Sequence, residues 1–170
     1  GTLGGALAMN AGIPGENIGG LVEDVEVMDY GGNMRVLSKG GIRFGYRNSS
    51  LRSYIILGAR LKLRKKHKLK IKKEINSRIS SRRLTQDYSH PSAGCIFKNP
   101  RPKHAARLID LCGLKGKRLG DAAISLRHAN FILNLGRAKA DDVLRLMELA
   151  RRKVQGRFNV RLEPEIKIWQ

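Results

Sequence analysis

Acidic and aromatic residues are scarce in this chain of 170 residues. Asp and Glu number 14 against 34 Lys and Arg, and aromatic side chains make up 5%. The resulting net charge of +20 favours polyanionic company: nucleic acid, an acidic membrane surface or phosphate-bearing small molecules. The four Tyr, four Phe and single Trp are not arranged as a base-stacking platform, and no RNA-recognition motif supports the nucleic-acid option. No apolar run approaches the ~18 residues of a spanning helix, so membrane insertion is not expected. Cysteine is limited to Cys95 and Cys112, and no secretory signal is visible. Free thiols in a reducing, cytoplasmic compartment are therefore expected. His90, Cys95, His104, Cys112 and His128 lack zinc-ligand spacing, so no metal site is expected. A hydrolase nucleophile elbow is also missing.

What is present begins with glycine. Residues 1–20 hold seven glycines interleaved with Leu3, Ala6, Leu7, Ala8 and Met9. That mixture suits a packed loop whose backbone approaches a ligand better than a flexible linker. The chain opens at Gly1 without a methionine and is expected to start partway into a longer protein. Val25 and Val27 alternate with polar neighbours, Tyr30-Gly31-Gly32-Asn33 offers a turn, and Met34–Leu37 returns, which predicts a hairpin. A further strand is expected over Tyr54–Leu63, with Ala59, Leu61 and Leu63 inward.

Nine Lys and Arg then crowd Arg60–Lys73. Ile71, Ile75 and Ile79 at four-residue spacing predict an amphipathic helix from about Leu69 to Leu84. The change of pattern sets a domain boundary there, with domains at 1–66 and 67–170. A short helix over Pro102–Cys112 is expected, with Ala105, Leu108, Ile109 and Cys112 on one face. Short strands follow at Ala122–Ser125 and Ala129–Asn134. Asp141–Val154 predicts the clearest helix, striped by Val143, Met147, Ala150 and Val154, with Gly156 as its stop. A terminal strand is expected over Val160–Ile168.

The segment Ser92-Ala93-Gly94-Cys95-Ile96-Phe97-Lys98-Asn99-Pro100 carries the most chemistry. Lys98 and Asn99 cannot be buried without partners, so the segment reads as the wall of a polar pocket. Cys95 is then placed to exchange a proton. Phe44-Gly45-Tyr46-Arg47-Asn48-Ser49-Ser50 is a polar cluster in which Arg47 offers a forked donor for a carboxylate or phosphate, or else a plain surface turn. Arg83 and Gln86 end the basic helix. Glu163 and Glu165 flank Pro164 and share a face in an extended chain.

Taken in order, these segments resemble the UDP-N-acetylenolpyruvoylglucosamine reductases. The run is Gly1–Ala6, Asn10-Ala11-Gly12, Phe44–Arg47, Arg83 with Gln86, Ser92–Pro100, Arg127–Phe131 and Leu162–Glu165. The short interval before Cys95 is similar to the compact form of that family, which lacks an extra tyrosine-bearing loop. The resemblance implies an α+β chain: the second half of a vanillyl-alcohol-oxidase-type FAD-binding domain, then a small α+β substrate-binding domain. It implies FAD as cofactor, NADPH as co-substrate, a UDP-sugar substrate and a monomer.

By the same matching, Cys95 is the proton donor, a serine in many relatives, and Arg47 and Glu165 polarise the substrate carboxylate. Thr2, Gly4, Gly5, Ala6, Asn10 and Gly12 lie against the flavin. Tyr46, Arg83, Gln86, Lys98 and Asn99 face the substrate. Ile13-Pro14 and Asp121 depart from the commoner pattern. A thiol, with reference pKa about 8.5, is protonated at neutral pH and is a stronger acid than an alcohol. Nearby cations favour its thiolate, which donates no proton. The reading from another class is a basic RNA-binding or ribosome-associated protein.

Overall fold

Alternation of valines with charged residues makes the first sheet. In the computed structural model, which describes residues 1–13 and 15–169, the chain divides into two units, Gly1–Lys66 and His67–Gln170. Pro14 lies outside the described residues.

The first unit opens with helix α1, Leu3–Ala8, then a two-residue hairpin of β1, Gly12–Ile13, and β2, Glu16–Asn17. Strands β3, Val22–Met28, and β4, Met34–Ser38, form the expected hairpin about Gly31-Gly32. Next come the short strands β5, Phe44–Gly45, and β6, Asn48–Ser49, then β7, Ile55–Leu61. β3 lies between β4 and β7, all antiparallel. Val25 and Val27 share the inward face by period two, and a register shift between Val22 and Asp24, where β3 carries one extra residue, brings Val22 onto that face. They pack with Leu7, Ile42 and Leu51 as this unit's core. β7 stops at Leu61, so Leu63 is not inward as expected but 71% exposed; the alternating pattern ran past the last ladder bond.

The second unit starts with α2, Lys68–Thr85. The helix forms, but it is not the amphipathic element that the isoleucine spacing suggested. None of its residues is buried, and Lys68, Lys72, Arg78 and Arg82 lie on or beside the isoleucine stripe. Strands β8, Ser92–Cys95, β9, Arg118–Leu119, β10, Ala122–Ile124, and β11, Phe131–Asn134, make an antiparallel sheet in the order β8-β11-β10-β9. Helices α3, Ala105–Leu111, and α4, Ala140–Phe158, supply the other half of the core. That core holds Ile96, Phe97, Leu108, Ile109, Ile124, Ile132, Leu146, Met147, Val154 and Leu162.

Two expectations fail at the end of this unit. Gly156 does not stop α4, because a glycine costs only about 1 kcal/mol in a helix interior. The stop is Asn159, whose φ of 51° breaks the helical path. No strand forms over Val160–Ile168. Pro164 lacks an N–H, and the segment makes only an isolated bridge to Phe97. Among the described residues, no helix is long and apolar enough to cross a membrane.

Candidate functional site

The thiol segment is built as a strand that leaves its sheet. Cys95, half-buried, is the last residue of β8 and pairs with Phe131 of β11. Gly94 sits at φ 78°, a conformation that an L side chain adopts only with strain. Ile96 and Phe97 then plunge into the core at 2% exposure each. Their burial anchors the polar residues on either side.

Beyond Cys95 the regular ladder is replaced by a side chain. Asn130, 2% exposed, accepts from the Phe97 N–H through Oδ1 at 3.0 Å and donates from Nδ2 to the Phe97 carbonyl at 2.8 Å. The Ile96 N–H donates to the Asn130 carbonyl at 2.9 Å. On the opposite edge, the Glu165 N–H donates to the Ile96 carbonyl at 2.7 Å and the Lys98 N–H to the Glu163 carbonyl at 2.9 Å. The Cys95 and Glu165 segments are thus neighbours through Ile96. Glu163 and Glu165 diverge: Glu163 is exposed and its carboxylate meets Lys98 Nζ at 3.2 Å, while Glu165 is half-buried. The Asn99 side chain turns to α3, where Oδ1 accepts from the Ala105 N–H at 3.0 Å.

Upstream, Gln86 caps the end of α2, and its Oε1 accepts from the Tyr88 hydroxyl at 2.5 Å. Arg83, exposed in the last turn of α2, lends its carbonyl to the Arg127 guanidinium at 3.3 Å. Gln86, Ser89, His90, Ser92, Gly94 and Phe131 line a cavity of about 460 Å³. Asp87, another lining residue, is 7% exposed and receives Ser125 Oγ–H at 2.5 Å, Ser89 Oγ–H at 2.6 Å and Ser89 N–H at 3.0 Å. These bonds, that from Ser125 foremost, hold its pKa down to about 2. His128 is pushed below the ordinary imidazole value by burial, and it stacks edge-on against Phe131 at 4.7 Å.

The glycine-rich loop belongs to the first unit. Thr2 caps α1 by accepting the Gly5 N–H at 3.1 Å. Leu7 anchors the helix in the core, and Ser49 Oγ, buried, bonds the Leu7 and Ala8 carbonyls at 2.9 and 3.0 Å. Asn10, at φ 44° and 7% exposed, accepts from Gly19 N–H and donates to the Gly45 carbonyl. Its amide therefore shapes the loop. At Gly12 a Cβ would lie 2.3 Å from the Glu16 carbonyl, so this glycine serves the close approach of β2. Thr2, Gly4, Gly5 and Ala6 form a surface poor in side chains, which fits a ring or phosphate approaching backbone.

Arg47 and Tyr46 are the two tip residues of the β5–β6 hairpin. Arg47 adopts φ 52°, donates from Nη1 to the Gly12 carbonyl at 3.0 Å and lies 5.6 Å from the Tyr46 ring centre. The guanidinium is thereby held against the loop of Gly12. Sequence patterns gave no sign of the Asp87–Ser125 pair, whose members lie 38 residues apart. Among the described residues no cluster could hold a metal ion.

A family model described as UDP-N-acetylenolpyruvoylglucosamine reductase, C-terminal domain, matches residues 86–169. Over 99% of its length the chain is 44% identical to UDP-N-acetylenolpyruvoylglucosamine reductase 2 of Symbiobacterium thermophilum, covering 56% of that protein. It is 41% identical to the reductase of Syntrophobacter fumaroxidans, again over 99% of the chain and covering 49% of the relative. The crystal structure of the Thermus caldophilus UDP-N-acetylenolpyruvylglucosamine reductase matches with a TM-score of 0.84 at 42% identity. That match covers 99% of this chain and 60% of the other. The chain spans about half the length of the curated relatives that it matches. The order of its segments, its two mixed α and β units and these likenesses agree: over nearly its whole length the chain is similar to part of the UDP-N-acetylenolpyruvoylglucosamine reductases.

Proposed function

We propose that the protein carrying this chain reduces the enolpyruvyl ether of UDP-N-acetylglucosamine enolpyruvate to UDP-N-acetylmuramate, with NADPH as hydride donor, in peptidoglycan precursor synthesis. The observation that carries the reading is the agreement with a solved reductase over 99% of the chain at TM-score 0.84. Residues 1–66 are read as the C-terminal part of a vanillyl-alcohol-oxidase-type FAD-binding domain and residues 67–170 as the substrate-binding domain. Thr2, Gly4, Gly5 and Ala6 would face FAD, in a loop shaped by Asn10 and Gly12. When bound, FAD supplies hydride transfer from the nicotinamide to C3 of the enolpyruvyl group.

The chain's own residues manage the charge and the proton. As C3 gains hydride, negative charge grows on C2 and spreads into the adjacent carboxylate. The Arg47 guanidinium stabilises that charge, and Glu165 is read as the second residue that polarises the carboxylate. Cys95 breaks its S–H bond and gives the proton to C2, so the alkene gains one hydride and one proton overall. Tyr46, Arg83, Gln86, Lys98 and Asn99 are read as facing the substrate or the flavin region. The protein is read as a cytoplasmic monomer.

The test is NADPH oxidation by the complete protein encoded by this reading frame, with and without the enolpyruvyl sugar nucleotide. Oxidation that depends on that substrate supports the reading. A colourless protein that binds RNA tightly and in a salt-sensitive way would support the RNA-binding reading instead.

A further inference from the structure

The geometry points to Asn130 as the positioning residue that sets the Cys95 thiol against the Glu165 carboxyl, an inference that rests on the function proposed above. The Asn130 side chain holds both backbone groups of Phe97, and the Asn130 backbone carbonyl holds the Ile96 N–H. The remaining Ile96 carbonyl is held by the Glu165 N–H. Residues 96 and 97 are therefore clamped between the two, with Cys95 one residue before the clamp. The β8–β11 ladder ends at the Cys95–Phe131 pair, so the sheet itself does not fix the path of Ile96 and Phe97. The carboxamide mimics one more ladder residue, but its rigid donor–acceptor pair has no freedom to slip in register. It is buried at 2% exposure, so water does not compete for these bonds.

Proton delivery by Cys95 and charge stabilisation by Glu165 act on adjacent atoms of one substrate. A shift of about 1 Å between them costs on the order of 10²-fold in rate. Loss of the clamp acts on the step that uses both groups, the reduction of the enolpyruvyl ether. The acceptance of hydride from NADPH uses neither.

Asn130→Ala and Asn130→Asp in the complete holoenzyme separate these steps. The flavin is first reduced with NADPH, then reoxidised with the enolpyruvyl sugar nucleotide, each by stopped flow. Reduction is expected to stay within about twofold of the parent, and reoxidation to fall by tenfold or more, on the scale of such misplacements. N130D adds a signature. Its carboxyl, protonated, reproduces both bonds to Phe97, whereas ionised it repels the Phe97 carbonyl. Relative to the parent at the same pH, reoxidation by N130D is therefore expected to recover between about pH 8 and about pH 6, where a buried carboxyl regains its proton.

Unchanged reoxidation in N130A, or equal loss in both half-reactions, overturns the inference, as does an N130D rate that ignores pH. If the parent fails to reduce the substrate, the functional reading falls by itself. Amide exchange at Phe97, whose N–H is held by the Asn130 side chain, and alkylation of Cys95 then decide the clamp: rates in N130A equal to the parent's overturn it, and faster rates uphold it.

Discussion

Ser125 and Asp87, 38 residues apart in sequence, share a hydrogen bond of 2.5 Å that joins the cavity wall to the end of β10. Ser125 Oγ donates to the carboxylate and in turn accepts the N–H groups of Arg127 and His128, each at 3.0 Å. One hydroxyl thus ties the Gln86–Ser92 loop to the turn before β11. Removing it in Ser125→Ala strands a buried carboxylate oxygen and is expected to cost about 1–3 kcal/mol, read from urea unfolding.

The Asp87 carboxylate also sets an acid limit. Its folded pKa, about 2, lies below the ordinary 3.8. The ionised form is therefore the one favoured by folding, and its contribution is complete above the ordinary value and lost as pH falls toward about 2. Melting temperatures across that window should drop for the parent protein. In Asp87→Asn the neutral-pH stability is lower and the further drop on acidification smaller. Identical acid profiles for the two proteins would remove Asp87 from this role.

Cys95 offers a thiol where an alcohol does not titrate in the working range. In the mechanism proposed above, ionisation of the thiol removes the proton to be donated, so the rate of substrate reduction should fall on the alkaline side. Cys95→Ser is expected to lower the rate and to shift or abolish that alkaline limb, measured as the pH dependence of kcat in the complete enzyme. A limb that persists unchanged assigns the titration to another group.

Helix α2 has no buried residue, and Ile75 at its centre is 50% exposed. Ile75→Ser should alter stability by no more than about 0.5 kcal/mol, as for other surface positions. Leu146→Ala, at a fully buried position in α4, should cost about 2–5 kcal/mol. Urea midpoints of the two variants in the complete protein make the comparison. A loss at Ile75 near that of Leu146→Ala would mean that this helix face is covered in the folded protein.

Local pattern carried much of the architecture into view. The β3–β4 hairpin was legible because Val25 and Val27 alternate and Gly31-Gly32 breaks the run. The inward face of α3 was legible from the spacing of Ala105, Leu108 and Ile109, all buried. The failures share one cause, that periodicity does not know where hydrogen bonds end. Leu63 continued a pattern whose ladder had stopped, and Val160–Ile168 looked extended but found a partner only around Phe97. The polar side chains at the sites were the least legible. Asn130, Ser49 and Asp87 find their partners 33, 42 and 38 residues away, and nothing in their immediate neighbours marks them as buried. The closeness of the 95 and 165 segments is of the same kind, since it depends on Ile96 offering its two backbone groups to opposite sides.

The Asn10 amide reaches from its own loop to Gly19 on one side and to Gly45, beside the Tyr46-Arg47 tip, on the other. The loop after α1 and the β5–β6 hairpin are therefore welded at a single joint. A substitution that improves one of them cannot leave the other undisturbed, so lineages carrying this joint would be expected to vary both together or neither.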